Sequence, residues 1–215
     1  MASLPVFKSI AQGLRFVFSK QIIWGAMALD MFAVLFGGAV AMLPAFIHDI
    51  YHIGPQGLGF LRASPAIGAI LTGIILSRTP INAKAGRWLL SAVAGFGFCI
   101  IGFAITVNIW VAGGFLLLSG VFDGISVVLR TTILQLATPD GMRGRVSSIN
   151  GIFIGSSNEL GAFESGFSAR LMGLVPSVIF GGLMTLSVVG ITAKFAPQLR
   201  TLDLKRLEDL KSAES

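Results

Sequence analysis

Cysteine is almost missing from this chain: Cys99, inside an apolar run, is the single one in 215 residues. That excludes a disulfide framework and a Cys-rich metal site. Charge is scarce too. Only 12% of residues are charged against 54% hydrophobic, and the mean hydropathy is +0.84, which excludes an ordinary water-soluble surface. The two histidines, His48 and His52, flank Asp49; their i, i+4 spacing suits a metal, but a third ligand nearby is lacking and solvated loop residues are expected. There is no GxxxxGK[ST] phosphate loop and no HExxH helix, and Ser156 and Ser157 have no His at their depth. Asp30 and Asp123 are too far apart in the helix order to read as an intramembrane aspartyl pair. Neither an enzyme, nor a cofactor, nor a metal is expected.

Long hydrophobic runs fill the rest. A core-spanning helix takes about 20 residues, and the chain divides into six such runs: Ile22 to Phe46, Leu58 to Leu76, Trp88 to Val107, Ile109 to Leu136, Val146 to Met172 and Val175 to Ala193. Backbone in lipid must satisfy itself, so all six are expected to be helices. The thinnest break, Gly173 to Pro176, predicts a tight helical hairpin. Residues 1–21 lack the uninterrupted apolar core of a cleavable signal; Phe7, Ile10, Leu14, Val17 and Phe18 recur at helical spacing between polar residues, which predicts an amphipathic entry helix at the interface. The organisation expected is therefore an entry segment over 1–21, a transmembrane bundle over 22–196 and a cytoplasmic tail over 197–215. The tail reads as a frayed end or a short exposed helix around Leu204, Leu207 and Leu210.

Lysine and arginine alternate between the connections. Lys8, Arg15 and Lys20, then Arg78, Lys84 and Arg87, then Arg143 and Arg145, then Lys194, Arg200, Lys205, Arg206 and Lys211 mark one side. The positive-inside rule makes that side cytoplasmic, with both termini there and His48 to His52 outside. The net charge of +6 thus reads as a topology signal in contact with a lipid bilayer, and no nucleic-acid site is expected.

Ionisable residues inside spans are costly and face a protein interior or a watered cavity. Spans three and six have none, while Asp30, Arg62, Asp123, Arg130, Glu159, Glu164 and Arg170 fall in spans one, two, four and five. The order in each half, two lining helices and one peripheral, fits a three-plus-three inverted repeat of a secondary transporter, with spans three and six facing lipid. At 1.5 Å per residue, Asp30 and Glu159 fall near the bilayer centre, and they are the leading candidates for proton or substrate work, Glu159 first. Structural carboxyls bonded within the bundle are the other reading. Glu164 is offset by about 140° from Glu159. Asp123 and Arg130 form a polar stripe too widely spaced for a routine direct ion pair. Arg130, Arg62 and Arg170 read as snorkelling to the interfaces before they read as substrate ligands. Gly120 with Gly124, Gly151 with Gly155, and the series Ala162, Gly166, Ala169 and Gly173 mark expected helix contacts, and Pro44 and Pro65 expected kinks.

The run Thr138-Pro139-Asp140-Gly141-Met142-Arg143-Gly144-Arg145-Val146-Ser147, followed by Ser157-Asn158-Glu159-Leu160-Gly161-Ala162-Phe163-Glu164-Ser165-Gly166 and supported by Phe122 to Arg130, resembles the carboxy-terminal half of major facilitator superfamily transporters of the enterobactin-exporter-like group. The superfamily loop Gly-x-x-x-Asp-Arg-x-Gly-Arg has a faint half-repeat copy in Gly73, Ser77, Arg78, Gly86 and Arg87, with Ser77 where the acidic residue stands. The resemblance implies an all-α integral membrane fold with six helices. It further implies proton-coupled efflux of a siderophore or amphipathic small molecule across a bacterial inner membrane by alternating access. It implies a cavity around Asp30, Asp123, Asn158, Glu159 and Glu164, and a cytoplasmic gate or loop with Arg78, Arg87, Arg130, Arg143 and Arg145. The family has twelve spans, so an amino-terminal six-helix half or a second copy is expected as partner. An autonomous six-helix protein, as a homodimeric carrier or a non-transporting assembly subunit, is the alternative.

Overall fold

The computed structural model describes residues 6–81 and 83–204, with side chains described from Ile10 onward. Among these residues there are helices and no strands. The elements are α1 (Val6–Ser19), α2 (Gln21–Phe36), α3 (Ala39–Phe46), α4 (Pro55–Arg78), α5 (Ala85–Ile105), α6 (Ile109–Leu136), α7 (Arg143–Met172), α8 (Leu174–Phe195) and α9 (Pro197–Arg200). Local chemistry sets several boundaries. Pro55 opens α4 at its first turn, where a missing N–H costs nothing. Asn108 caps α6, its Oδ1 accepting from the Trp110 N–H at 2.9 Å and the Val111 N–H at 3.4 Å. Gly173 alone joins α7 to α8, at φ 92° and ψ 164°, a conformation that essentially only glycine adopts.

Five helical runs are long and apolar enough to cross a membrane: 21–51, α4, α5, α6 and α8. The sixth helix, α7, has the length at 30 residues but not the composition, because Arg143, Arg145, Glu159, Glu164 and Arg170 lie along it among Ser, Gly and Asn. The first span is discontinuous. Its break falls at Gly37–Gly38 and not at Pro44, which sits inside α3 ahead of a π-helical turn over Ile47–Tyr51. Both glycines are needed there for close approach: a Cβ on Gly37 would stand 2.6 Å from the Phe96 ring, and one on Gly38 would stand 2.1 Å from Ser165 Oγ.

The packing order repeats. In the first unit (α2–α3, α4, α5), α2 packs on α7 and α8 of the second; in the second (α6, α7, α8), α6 packs on α4 and α5 of the first; α5 meets α8. Exchanging the units leaves this pattern unchanged, as an inverted repeat requires. The α4–α6 contact is backbone-close, since a Cβ on Gly68 would come 2.1 Å from the Leu117 carbonyl and one on Gly120 would come 2.0 Å from that of Pro65.

Three expectations fail here. Helix α5 is not among the most exposed: 56% of its apolar window is buried, the largest share of the five candidate spans, against 22% in α4 and 28% in α8. Lack of charge permits lipid exposure but does not impose it, and Ala92, Gly97 and Gly102 let α6 and α8 close on α5. The small-residue face of α7 is not Gly151, Gly155, Ala162 and Gly166; those three glycines have open space around them and Ala162 is exposed. The packed face carries Ser157, Gly161, Ser165 and Ser168, all buried. Finally, the chain after span six is not frayed as far as it is described: Leu199, Leu202 and Leu204 join the core beneath α2 and α5, and the Gly86 N–H bonds the Leu202 carbonyl. Residues 205–215, with Leu207 and Leu210, lie outside the described residues.

The entry helix forms as expected. Val17 is buried in a cluster with Ile23, Val146 and Ile149, and Arg145 Nη1 donates to Gln12 Oε1 at 3.0 Å, so α1 is fastened to the start of α7.

Candidate functional site

Two cavities meet at one carboxylate. The larger, about 550 Å³, is walled by the Gly37–Gly38 break, α4, α5, α6 and α7; its polar wall residues are Arg62, Ser119, Asp123 and Asn158, among Val34, Phe96, Ile100 and other apolar groups. Behind it lies a void of about 10 Å³ bounded by Asp30, Ser126, Phe122, Phe96 and Asp123, close to the room one water needs. Asp123 is common to both walls.

Asp30 is buried at 4% exposure on α2, and Arg130 of α6 at 3%. Arg130 Nη1 donates to Asp30 Oδ2, a direct ion pair that joins the first helix of one unit to the first helix of the other. This corrects the expectation that Arg130 snorkels to the interface. The guanidinium turns inward because a buried carboxylate faces it, and the charge of each is tolerable only with the other present. Asp123 lies seven residues before Arg130 on the same helix and acts electrostatically on the pair. The set is therefore two carboxylates and one guanidinium, with Asp30 and Arg130 buried and Asp123 half-buried. Arg130 Nε and the Oγ of neighbouring Ser126 have no hydrogen-bond partner among the described residues. A set of this composition has a formal charge of −1 with both acids ionised and is neutral with one proton added.

The other acids on span five are arranged differently. Glu159 is exposed, lines neither cavity, and is surrounded on its face by exposed Leu160, Phe163 and Phe167. Glu164 is half-buried and accepts from Ser168 Oγ at 2.7 Å. Asn158 does reach the large cavity. Among the arginines expected at the cytoplasmic side, Arg78 ends α4 and Arg87 begins α5, both exposed. Arg143 pairs with Asp140 Oδ1 at 3.0 Å, and Arg145 is held by Gln12 and Met142. Ser77 Oγ donates to the Ile74 carbonyl at 2.8 Å, so the residue at the superfamily loop's acidic position is turned back onto its own helix. His48 Nδ1 and Asp49 Oδ1 stand 2.5 Å apart, both exposed.

Arg62 is exposed and lines the large cavity, a place that sequence reasoning did not give it. The available signal was its register with Ala66 and Ala69, three or four residues apart on one face of α4, all three on the cavity wall.

Comparison with known proteins agrees with the architecture. The family model of the Major Facilitator Superfamily matches residues 3–162. Among curated proteins, the enterobactin exporter EntS of Escherichia coli O81 (strain ED1a) is 28% identical over 143 residues, 66% of this chain and 34% of that protein. The EntS proteins of Escherichia coli O139:H28 (strain E24377A / ETEC) and Shigella boydii serotype 18 (strain CDC 3083-94 / BS512) match at the same identity and coverage. The matched stretch is thus about a third of the length of these relatives. No solved structure matches. With its helical runs, its repeated packing and a family match over more than half its length, the chain belongs to the Major Facilitator Superfamily.

Proposed function

We propose that the chain forms one six-helix half of a proton-coupled exporter of an amphipathic small molecule, a siderophore being the class that its relatives' name suggests. The observation that supports this is the buried pair Asp30 and Arg130 with half-buried Asp123 beside it, placed behind a largely apolar cavity and reached from it through Asp123 alone of the three. Asp123 takes a proton from the cavity, which removes the excess negative charge of the set. Loss of that proton restores the charge and strengthens the pull on Arg130. Because Arg130 and Asp30 belong to different three-helix units, a change in that pull acts on the packing between the units. Protonation is linked in this way to access with no metal or cofactor.

A partner completes the cavity. Helix α4 leaves Ile67, Ile70, Ile74 and Ile75 exposed, and α7 leaves Phe163 and Phe167 exposed beside Glu159. An ionisable side chain at that depth requires protein or water over it and not lipid. The cover is a second six-helix unit, either another half or another copy, with both termini of this chain on the cytoplasmic side of a bacterial inner membrane.

The test is gradient-driven efflux from proteoliposomes holding this chain with its completing unit. Asp123→Asn abolishes proton-driven efflux and leaves downhill exchange of substrate. Efflux at the unmodified rate in Asp123→Asn overturns the coupling role.

A further inference from the structure

Arg62 lies about seven residues into α4, roughly 10 Å along the helix at 1.5 Å per residue, on the wall of the large cavity. Among the described residues it makes no ion pair and no hydrogen bond. Asp123 lies on the same cavity wall and makes no ion pair with Arg62 among the described residues. The wall therefore carries one guanidinium and one carboxylate that do not pair directly, among apolar groups that include Phe96, Ile100 and Val34. Arg62 is exposed, so its guanidinium is open to a ligand or to water in the cavity. Its planar fork fits a carboxylate, sulfonate or similar acidic oxygen group in two parallel bonds. Asn158, opposite on α7, adds an amide that donates to the same kind of group.

We infer that the cavity selects amphipathic anions, with Arg62 binding the acidic group and the apolar wall taking the rest of the molecule. This rests on the cavity being the substrate site of the proposed exporter, and it adds the sign of the substrate's charge. The division of labour is then spatial: Arg62 on α4 carries substrate charge, while Asp123 on α6 carries the proton.

The experiment uses the full chain in zwitterionic nanodiscs and two probes with one aromatic body, 8-anilinonaphthalene-1-sulfonate and its uncharged parent N-phenyl-1-naphthylamine. Saturable binding is read by energy transfer from the tryptophans, of which Trp110 packs on Phe60, two residues before Arg62, with ring centroids 5.2 Å apart. The sulfonate binds about tenfold or more tightly than the parent, the scale of a charge-assisted hydrogen bond. Arg62→Gln removes that preference and leaves binding of the uncharged probe in place; Arg62→Lys keeps part of it. Unchanged circular dichroism and elution of the variants establish that they fold. An unchanged sulfonate preference in folded Arg62→Gln overturns the inference, and so does equal binding of the two probes by the unmodified chain. Because this is a binding measurement without a gradient, its failure leaves the proton-coupling role of Asp123 standing. Failure of gradient-driven efflux with the preference intact removes coupling alone.

Discussion

Asp30 and Glu159 both fall inside long helical runs, of 31 and 30 residues, yet their surroundings are opposite. Asp30 is buried at 4% exposure, ion-paired to Arg130, and adjoins a second carboxylate. Glu159 is exposed on α7, without an ion pair among the described residues, in a face of leucine and phenylalanine. That both lie within a helical run is legible from sequence spacing. Azimuth and neighbour, which only the packed helices supply, separate a buried, ion-paired carboxylate from an exposed one.

Stability measurements in mixed micelles sharpen that contrast. Arg130→Met leaves the buried Asp30 carboxylate without its counter-charge and lowers unfolding free energy by about 3–5 kcal/mol, while Asp30→Leu with Arg130→Met recovers much of it. Gly120→Ala places a Cβ 2.0 Å from the Pro65 carbonyl and costs about 1–3 kcal/mol through forced separation of α4 from α6. Gly173→Ala holds an L-residue at φ 92° and ψ 164° and costs about 1–3 kcal/mol, read as a lower unfolding midpoint at unchanged slope. At the small end, Glu159→Gln and Gly155→Ala change stability by no more than about 0.5 kcal/mol, the first because its side chain is exposed and the second because nothing lies within 4 Å of the new methyl. Equal losses in Arg130→Met and Glu159→Gln would erase the distinction between the two carboxylates.

Much of the architecture was legible from the chain. Span four coincides with α6, and the others differ from their helices by a few residues at the ends, where caps such as Pro55 at the start of α4 extend the helix beyond the apolar run. The tight turn at Gly173 followed from Gly and Pro chemistry. What remained hidden depends on partners remote in sequence. Arg130 near a helix end reads as a snorkelling residue until Asp30, a hundred residues away, is placed against it. The GxxxG spacing of Gly151 and Gly155 is as good as that of Gly120 and Gly124, but Pro65 faces the latter and open space the former. Span three carries no charge and so reads as peripheral, although the small residues of α5 draw α6 and α8 onto it. In each case the local pattern states what a face permits, and the opposing helix decides what it does.

Infrared difference spectroscopy of the chain in lipid, across a pH titration, tests most directly whether the proton resides in the set of Asp30, Arg130 and Asp123. The account predicts a protonated-carboxyl stretch that grows and fades with pH, is lost in Asp123→Asn and persists in Glu159→Gln. A titrating band that survives in Asp123→Asn and vanishes in Glu159→Gln would place the proton on the outer face of α7 and contradict it.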